Sequence, residues 1–262
     1  MTKKPRNVLV TGGSSGIGRS TVERFARAGD RVWFTYRTGA DRAKALVSEL
    51  HGADVAAFAF DQGDKASHDA LLAALPGDVD VLVNNAGLGT KTVEGYVAGA
   101  AEQDAALLHV NAVGPLWLAQ ALVPGMVERG YGKVVNVASV DGGVTQFPGF
   151  RIADGMSKAA LAFMTRQLAA ELAHDPVDVF AVCPGATETS MFEASTLKRL
   201  SVDERRAFEA ALPRGRLIQP DEIADLVFWL CGDEARVLHG AVLDASLGLG
   251  VHPGLMTGRR KA

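Results

Sequence analysis

The run Thr11-Gly12-Gly13-Ser14-Ser15-Gly16-Ile17-Gly18 is the first stretch of the chain whose residue types suit a chemical task. Its glycines let the backbone turn sharply and approach a pyrophosphate closely. A helix opening at this point offers unpaired N–H groups and the positive end of its dipole to the phosphates. A glycine cluster alone says little, but at a strand-to-helix junction it reads as a dinucleotide site. Tyr36-Arg37, at the end of the next apolar run, selects between the two dinucleotides. An acidic residue there would bind a ribose 2′-hydroxyl and repel a 2′-phosphate. Arg37 can instead pair with that phosphate, and Tyr36 brings no opposing charge. The expected cofactor is NADP(H). Further along, Asp154 and Lys158 stand four residues apart, which puts a carboxylate and an ammonium on one helix face.

The hydrophobic pattern supplies the elements that must hold these groups. Apolar runs at 8–10, 32–36, 55–60, 79–83, 133–138, 177–183 and 241–244 read as strands. Amphipathic stretches at 19–28, 40–50, 66–75, 102–129, 155–173 and 220–231 read as helices. The strands are continuously apolar, so helices should cover both sheet faces. Repeated β-α units then imply an α/β, doubly wound Rossmann fold with a mostly parallel sheet of about seven strands. Residues 1–262 read as one domain. Residues 185–216 break the rhythm, with helical patches at 195–200 and 203–212. The segment 186–216 is either a lid over the substrate or a plain connection.

Composition narrows the function classes. At 48% hydrophobic and 22% charged residues the chain is not disordered, and a formal net charge of -3 gives no reason to expect nucleic acid. No apolar run approaches the roughly 18–20 residues of a membrane span, and the charged N-terminus leads into a strand too short for a signal peptide. Cys183 and Cys231 sit in apolar surroundings and read as buried thiols suited to a reducing cytoplasm. Their spacing does not suggest a metal. The cluster at 259–261 reads as a solvated tail.

The motifs, in this order, resemble the short-chain dehydrogenase/reductase family, particularly its 3-oxoacyl-ACP-reductase-like members, over nearly the whole chain. The resemblance implies that Gly12, Ser14, Ser15, Gly16, Ile17 and Gly18 cradle the cofactor's phosphates beside Tyr36 and Arg37. It implies that Asp61 and Gln62 meet the adenine and that Asn85, Ala86 and Gly87 of the Asn-Asn-Ala-Gly motif follow the fourth strand. Pro184, Gly185, Thr187 and Thr189 then lie at the nicotinamide end, where a threonine usually holds the carboxamide. Asn111, Ser139 and Lys158 take the catalytic positions. The resemblance also implies that the helical stretches 111–129 and 157–173 pair with other subunits in a dimer or tetramer.

One position departs from the family pattern. The catalytic pair is Tyr-x-x-x-Lys, and Met156-Ser157-Lys158 fixes the lysine, so the tyrosine should be residue 154. That residue is Asp154, and Tyr36, Tyr96 and Tyr131 are the only tyrosines. A carboxylate is ionised at neutral pH, a poor proton donor to an alkoxide, and roughly 3 Å shorter in reach than tyrosine. Three readings follow. The chain reduces a small-molecule C=O or C=N group, with Ser139, Asp154, Lys158 and water completing the chemistry. An iminium suits this best, because it accepts hydride without an acid and a carboxylate stabilises its charge. Alternatively, Asp154 acts as a base in isomerisation, elimination or cyclisation. In the third reading the protein is a catalytically silent binding module.

Other residues have two readings each. Asp141 is a substrate contact or a loop cap. Lys91, Tyr96, Gln146, Phe147 and Phe150 lie on loops that line the substrate crevice in this fold, and Met191 and Phe192 belong to the lid segment or to ordinary packing. His109, His174, His239 and His252 read as structural or surface residues. Beyond Leu247, the tail residues Leu249, Val251, Pro253, Gly254 and Leu255 either wrap a neighbouring subunit or do not.

Overall fold

The computed structural model describes residues 4–147 and 150–251. His252, Pro253, Gly254, Leu255 and the cluster at 259–261 lie outside them. Seven strands form one sheet: β1 (Asn7–Val10), β2 (Arg31–Tyr36), β3 (Val55–Ala59), β4 (Val81–Asn84), β5 (Gly132–Val137), β6 (Val177–Pro184) and β7 (Val242–Ala245). Their order is β3-β2-β1-β4-β5-β6-β7, and every pairing is parallel. The expected doubly wound sheet is therefore present. The winding direction reverses between β1 and β4, and a crevice opens there at the carboxyl ends of the strands.

The continuous apolar runs follow from burial on both faces. In β1, Val8 and Val10 face one core with Val22 and Phe25 of α1 (Gly16–Arg27), Leu46 of α2 (Ala40–Glu49) and Val227 of α10 (Pro220–Leu230). Leu9, between them, faces the other core with Leu71 of α3 (Lys65–Ala74) and Leu118 and Met126 of α5 (Gly114–Glu128). Alternate residues of one strand thus anchor opposite helix layers.

α4 (Ala100–Leu108) continues into α5 through a π-turn at His109–Val113. The resulting stretch, Ala100–Glu128, is long and apolar enough by length and composition to cross a membrane, which corrects the expectation that no run approaches that length. Scattered polar residues interrupt its apolar run without breaking the helix. Here Leu118, Ala119, Val123 and Met126 pack beneath the sheet.

α6 (Val140–Gly143) is a single turn after β5, and α7 (Ile152–Glu171) begins three residues before the expected 155. A chain of buried polar groups keys α7 to the sheet. Asn84 Nδ2 donates to Asn136 Oδ1 at 2.9 Å, and Asn136 Nδ2 donates to Thr165 Oγ1 at 2.9 Å. Such a chain fixes the helix in register, because any slip would leave buried donors unmet.

The segment after β6 folds as α8 (Ser190–Phe192), a π-turn at Glu193–Leu197 and α9 (Val202–Ala211). It carries a small core of its own, formed by Ala186, Leu197, Leu212 and Leu217. Its neck is closed by backbone bonds from Ile218 to Ala186 and from Glu188 to Ile218, at 2.8 and 2.9 Å.

Candidate active site

The glycine turn and the strand beside it form one cradle. Thr11, fully buried, accepts with Oγ1 from the backbone N–H groups of Asn85 and Ala86 at 3.0 and 2.9 Å. Asn85 Nδ2 returns two bonds, to the carbonyls of Thr11 and Gly12. Gly12 has φ +68°, the left-handed region that favours glycine. A Cβ on Gly18 would lie 2.3 Å from the Gly12 carbonyl oxygen, so only glycine allows this packing. Ser15 caps α1 without a side-chain hydrogen bond, and no acidic residue occupies the first turn. The helix therefore presents an uncompensated positive end at the crevice, and these residues fit a dinucleotide's phosphates.

Gly16 lies against Thr189 across the crevice, where a Cβ would meet Thr189 Cγ2 at 3.1 Å. Thr189 also caps α8, accepting from Phe192 N at 3.2 Å. Thr187 is buried, and its hydroxyl donates to the Gly185 carbonyl at 3.0 Å. Gly185 packs on Ser246, and Ile17 and Tyr36 are partly buried against the first core. Ser14 is buried.

At the far end of the cradle, Asp61 Oδ1 accepts from Gly63 N at 2.9 Å and from the Tyr96 hydroxyl at 3.0 Å. Arg37 is exposed and stacks over the Tyr96 ring, its Cζ 4.5 Å from the centroid. Tyr96 thus belongs to this end and not to the chemistry beyond β5. Gln62 points inward. Its amide donates to the carbonyls of Ala86 and Val110 at 2.9 and 2.8 Å, so its side chain supports the Asn-Asn-Ala-Gly turn from below.

The other cluster centres on α7. Asp154 lies in the helix's first turn, where the positive dipole end favours a negative charge. Its Oδ2 accepts from the Thr90 backbone N–H at 2.7 Å and from the Thr90 hydroxyl at 2.9 Å. Thr90 is a neighbour of the candidate site that residue spacing did not reveal. No ion pair joins Asp154 to Lys158 among the described residues. Lys158 is half-buried, with Nζ 3.5 Å from the Val137 carbonyl. Burial pushes its ammonium below the usual lysine range, and Asp154 pulls in the opposite direction.

Asn111, in the π-turn, is buried and fully engaged. It donates to the Leu88 carbonyl and to Ser157 Oγ at 2.8 and 3.0 Å, and accepts from Leu88 N at 2.7 Å. Gly87 sits between it and the lysine, since a Cβ there would lie 3.1 Å from Asn111 Oδ1 and 3.4 Å from Lys158 Nζ.

Ser139 caps α6, accepting from Asp141 N at 3.2 Å. Asp141 Oδ1 accepts from Phe147 N at 3.0 Å. Burial, then repulsion from Asp154, raises the Asp141 carboxyl above its ordinary range. Met191 of α8 reaches the same space: a Cβ on Gly89 would lie 3.2 Å from Met191 Sδ and 3.8 Å from Asp154 Oδ2. Cys183 backs the site without joining it, its thiol pushed up to about 11 by burial. Lys91 pairs with Glu94 on the surface, Gln146 is exposed, and Phe147 and Phe150 stack edge to face.

Comparisons with known proteins identify the family and the fold. Residues 12–250 match the family model described as enoyl-(acyl carrier protein) reductase. Galactitol 2-dehydrogenase of Rhizobium johnstonii is 32% identical over 243 residues, covering 92% of this chain and 93% of that one. The 3-oxoacyl-(acyl-carrier-protein) reductase FabG of Aquifex aeolicus is also 32% identical, covering 92% and 96%. An actinorhodin polyketide ketoreductase variant solved with NADPH superimposes with a TM-score of 0.84 at 33% identity, covering 95% of this chain and 98% of that one. With a family match across almost the whole sequence and relatives above 30% identity over more than nine-tenths of their length, this chain belongs to the short-chain dehydrogenase/reductase family of oxidoreductases.

Proposed function

We propose that the protein is an NADPH-dependent reductase of a small-molecule C=O or C=N group, with Asp154 standing where the family carries its catalytic tyrosine. The carrying observation is the pair of hydrogen bonds from Thr90 that hold the Asp154 carboxylate at the start of α7. Both are donated to Oδ2, which suits a fixed anion and not a proton donor. Ser14, Ser15 and the N–H groups of 16–18 would hold the cofactor's phosphates, Arg37 its 2′-phosphate, Asp61 its adenine, and Lys158 and Thr189 its nicotinamide end. When bound, NADPH supplies the hydride.

A fixed carboxylate favours a substrate that arrives already protonated. An iminium carbon accepts hydride and its nitrogen keeps the proton it brought, so no acid is required at that step. Asp154 favours the protonated iminium over the neutral imine, so more of the bound substrate is in the form that accepts hydride, and orients it, while Asn111 and Thr90 keep the surrounding backbone from relaxing. For a ketone, the Lys158 ammonium, with a proton energetically loosened by burial, is the available donor through Ser139 or water. The same carboxylate geometry supports a second reading, proton abstraction from carbon, in which NADPH is retained unconsumed.

The test mixes purified protein with NADPH and panels of ketones and cyclic imines and follows loss of nicotinamide absorbance. Turnover is expected, strongest on imines. Asp154→Asn should lower it by about a hundredfold, the scale on which loss of a neighbouring opposite charge lowers the protonated fraction of a base, with NADPH affinity unchanged. Undiminished turnover in that variant removes the proposed role. Product formation without NADPH loss favours proton abstraction, and binding without turnover on any panel member favours a silent module.

Homo-oligomer formation belongs to the same reading. α7 turns Ile152, Met156 and Phe163 outward at 81%, 52% and 66% exposure, more apolar surface than one helix ordinarily leaves to water. Sedimentation of the purified protein as a dimer or tetramer is the expected outcome, and a monomer at micromolar concentration contradicts it.

A further inference from the structure

Arg37 takes part in no ion pair and no side-chain hydrogen bond among the described residues; its one contact of note is the face of Tyr96. Tyr96 arrives from a distant part of the chain, just after the 3₁₀ turn Thr92–Gly95 that follows β4. It reaches the ends of β2 and β3, where its hydroxyl donates to Asp61. Its side chain also packs on the cluster of Leu88, Val93, Leu107 and Val110. Gly63 admits it, since a Cβ there would lie 2.4 Å from the Tyr96 hydroxyl. The ring is therefore held by its hydroxyl bond and by apolar packing before any ligand arrives.

We propose that Tyr96 is a positioning residue for cofactor selectivity, holding the Arg37 guanidinium over its ring so that the free N–H donors meet a ribose 2′-phosphate. This rests on the NADP(H) reading above. A free arginine loses rotamer freedom when it clamps a phosphate, and an arginine already stacked on a fixed ring loses less. The benefit is collected only by a ligand that carries the 2′-phosphate. Tyr96 suits the task in two further ways. It is neutral, and burial followed by the nearby Asp61 charge pushes its phenol up to about 12, so the bond to Asp61 persists throughout the working pH range. It also occupies only Oδ1 of Asp61, and among the described residues no hydrogen bond engages Oδ2, which remains available to an adenine amine.

The experiment measures dissociation constants of NADPH and NADH, by calorimetry, for the wild type, Tyr96→Phe and Tyr96→Leu, each also in an Arg37→Ala background. Leucine keeps apolar packing on the cluster and removes the π face; phenylalanine keeps the face and removes the hydroxyl. Tyr96→Leu should weaken NADPH by about threefold to fivefold, the scale of one exposed cation–π contact, while NADH changes less than twofold. Tyr96→Phe should restore most of the NADPH affinity, and in the Arg37→Ala background the leucine effect should vanish. Equal weakening of both cofactors, no change in either, or a leucine effect that survives loss of Arg37 would each overturn the proposal. A wild type that binds NADH as tightly as NADPH would overturn the NADP(H) reading itself, and this inference with it.

Discussion

Thr11→Val is the sharpest perturbation of the cofactor cradle. Valine matches threonine in shape, so it leaves no cavity and alters only the hydroxyl. That hydroxyl accepts from Asn85 N and Ala86 N at 3.0 and 2.9 Å, on a side chain with no exposure. Each lost bond costs about 1 kcal/mol net, and more where the abandoned N–H cannot reach water. Asn85 and Ala86 are half-buried, so the sum falls at about 2–3 kcal/mol. For a chain of this length that is a fall of roughly 5–10 °C in the thermal midpoint. NADPH affinity should fall as well, because the same bonds hold the turn at Gly12 against β4. Thermal unfolding at fixed protein concentration measures the first effect and calorimetry the second, and Thr11→Ser, which keeps the acceptor, should recover most of both. A loss below about 0.5 kcal/mol for the valine variant would refute the cradle's role as the link between β1 and β4.

Gly18→Ala should destabilise by about 1–3 kcal/mol and weaken NADPH at least tenfold, because the new methyl would meet the Gly12 carbonyl oxygen at 2.3 Å; helix propensity alone predicts the opposite sign, so thermal melts and a binding titration decide it. Thr90→Val removes the 2.9 Å hydroxyl bond to Asp154 but keeps the backbone bond, and should lower kcat about tenfold with NADPH affinity unchanged, while Thr90→Ser stays near wild type. His68 is buried, with Nε2 donating to the Gln62 carbonyl at 3.0 Å, and burial lowers its pKa from 6.5. Protonation therefore favours the unfolded chain, and stability is lost as the pH falls from about 6.5 towards the lower folded value. His68→Gln should flatten that limb of the melting-temperature profile, and an unchanged acid limb argues against the assignment.

The parts of the site that could be read from sequence are those set by local chain geometry. Thr11 to Gly18 is a strand, a turn and a helix start in one run, and Asp154 and Lys158 share a face through helical periodicity. The parallel sheet followed equally from strands apolar on both faces. What escaped the sequence depends on where side chains point once distant loops meet. Thr90 and Asp154 are 64 residues apart, and nothing in the type or spacing of Thr90 marks it as a carboxylate's partner. Tyr96 belonged to a loop expected near the substrate, yet it turns towards Asp61 because Gly63 leaves room there. Gln62 follows Asp61 but lies in the turn before α3, and its amide reaches inward to the carbonyls of Ala86 and Val110. The stretch Ala100–Glu128 was underestimated because its apolar character is spread over a helix of two segments and not concentrated in a run.

Hydride transfer from NADPH beside a fixed Asp154 carboxylate is the step on which the proposed function stands. Its most direct test uses NADPH carrying deuterium on the transferable face of the nicotinamide, together with an imine or ketone that the panel shows to be consumed. Mass spectrometry of the product should find one deuterium on the former C=N or C=O carbon, with one oxidised cofactor per product formed. Product without deuterium, with the label still in the reduced cofactor, would contradict the account and make Asp154 a base in chemistry that leaves the nicotinamide untouched.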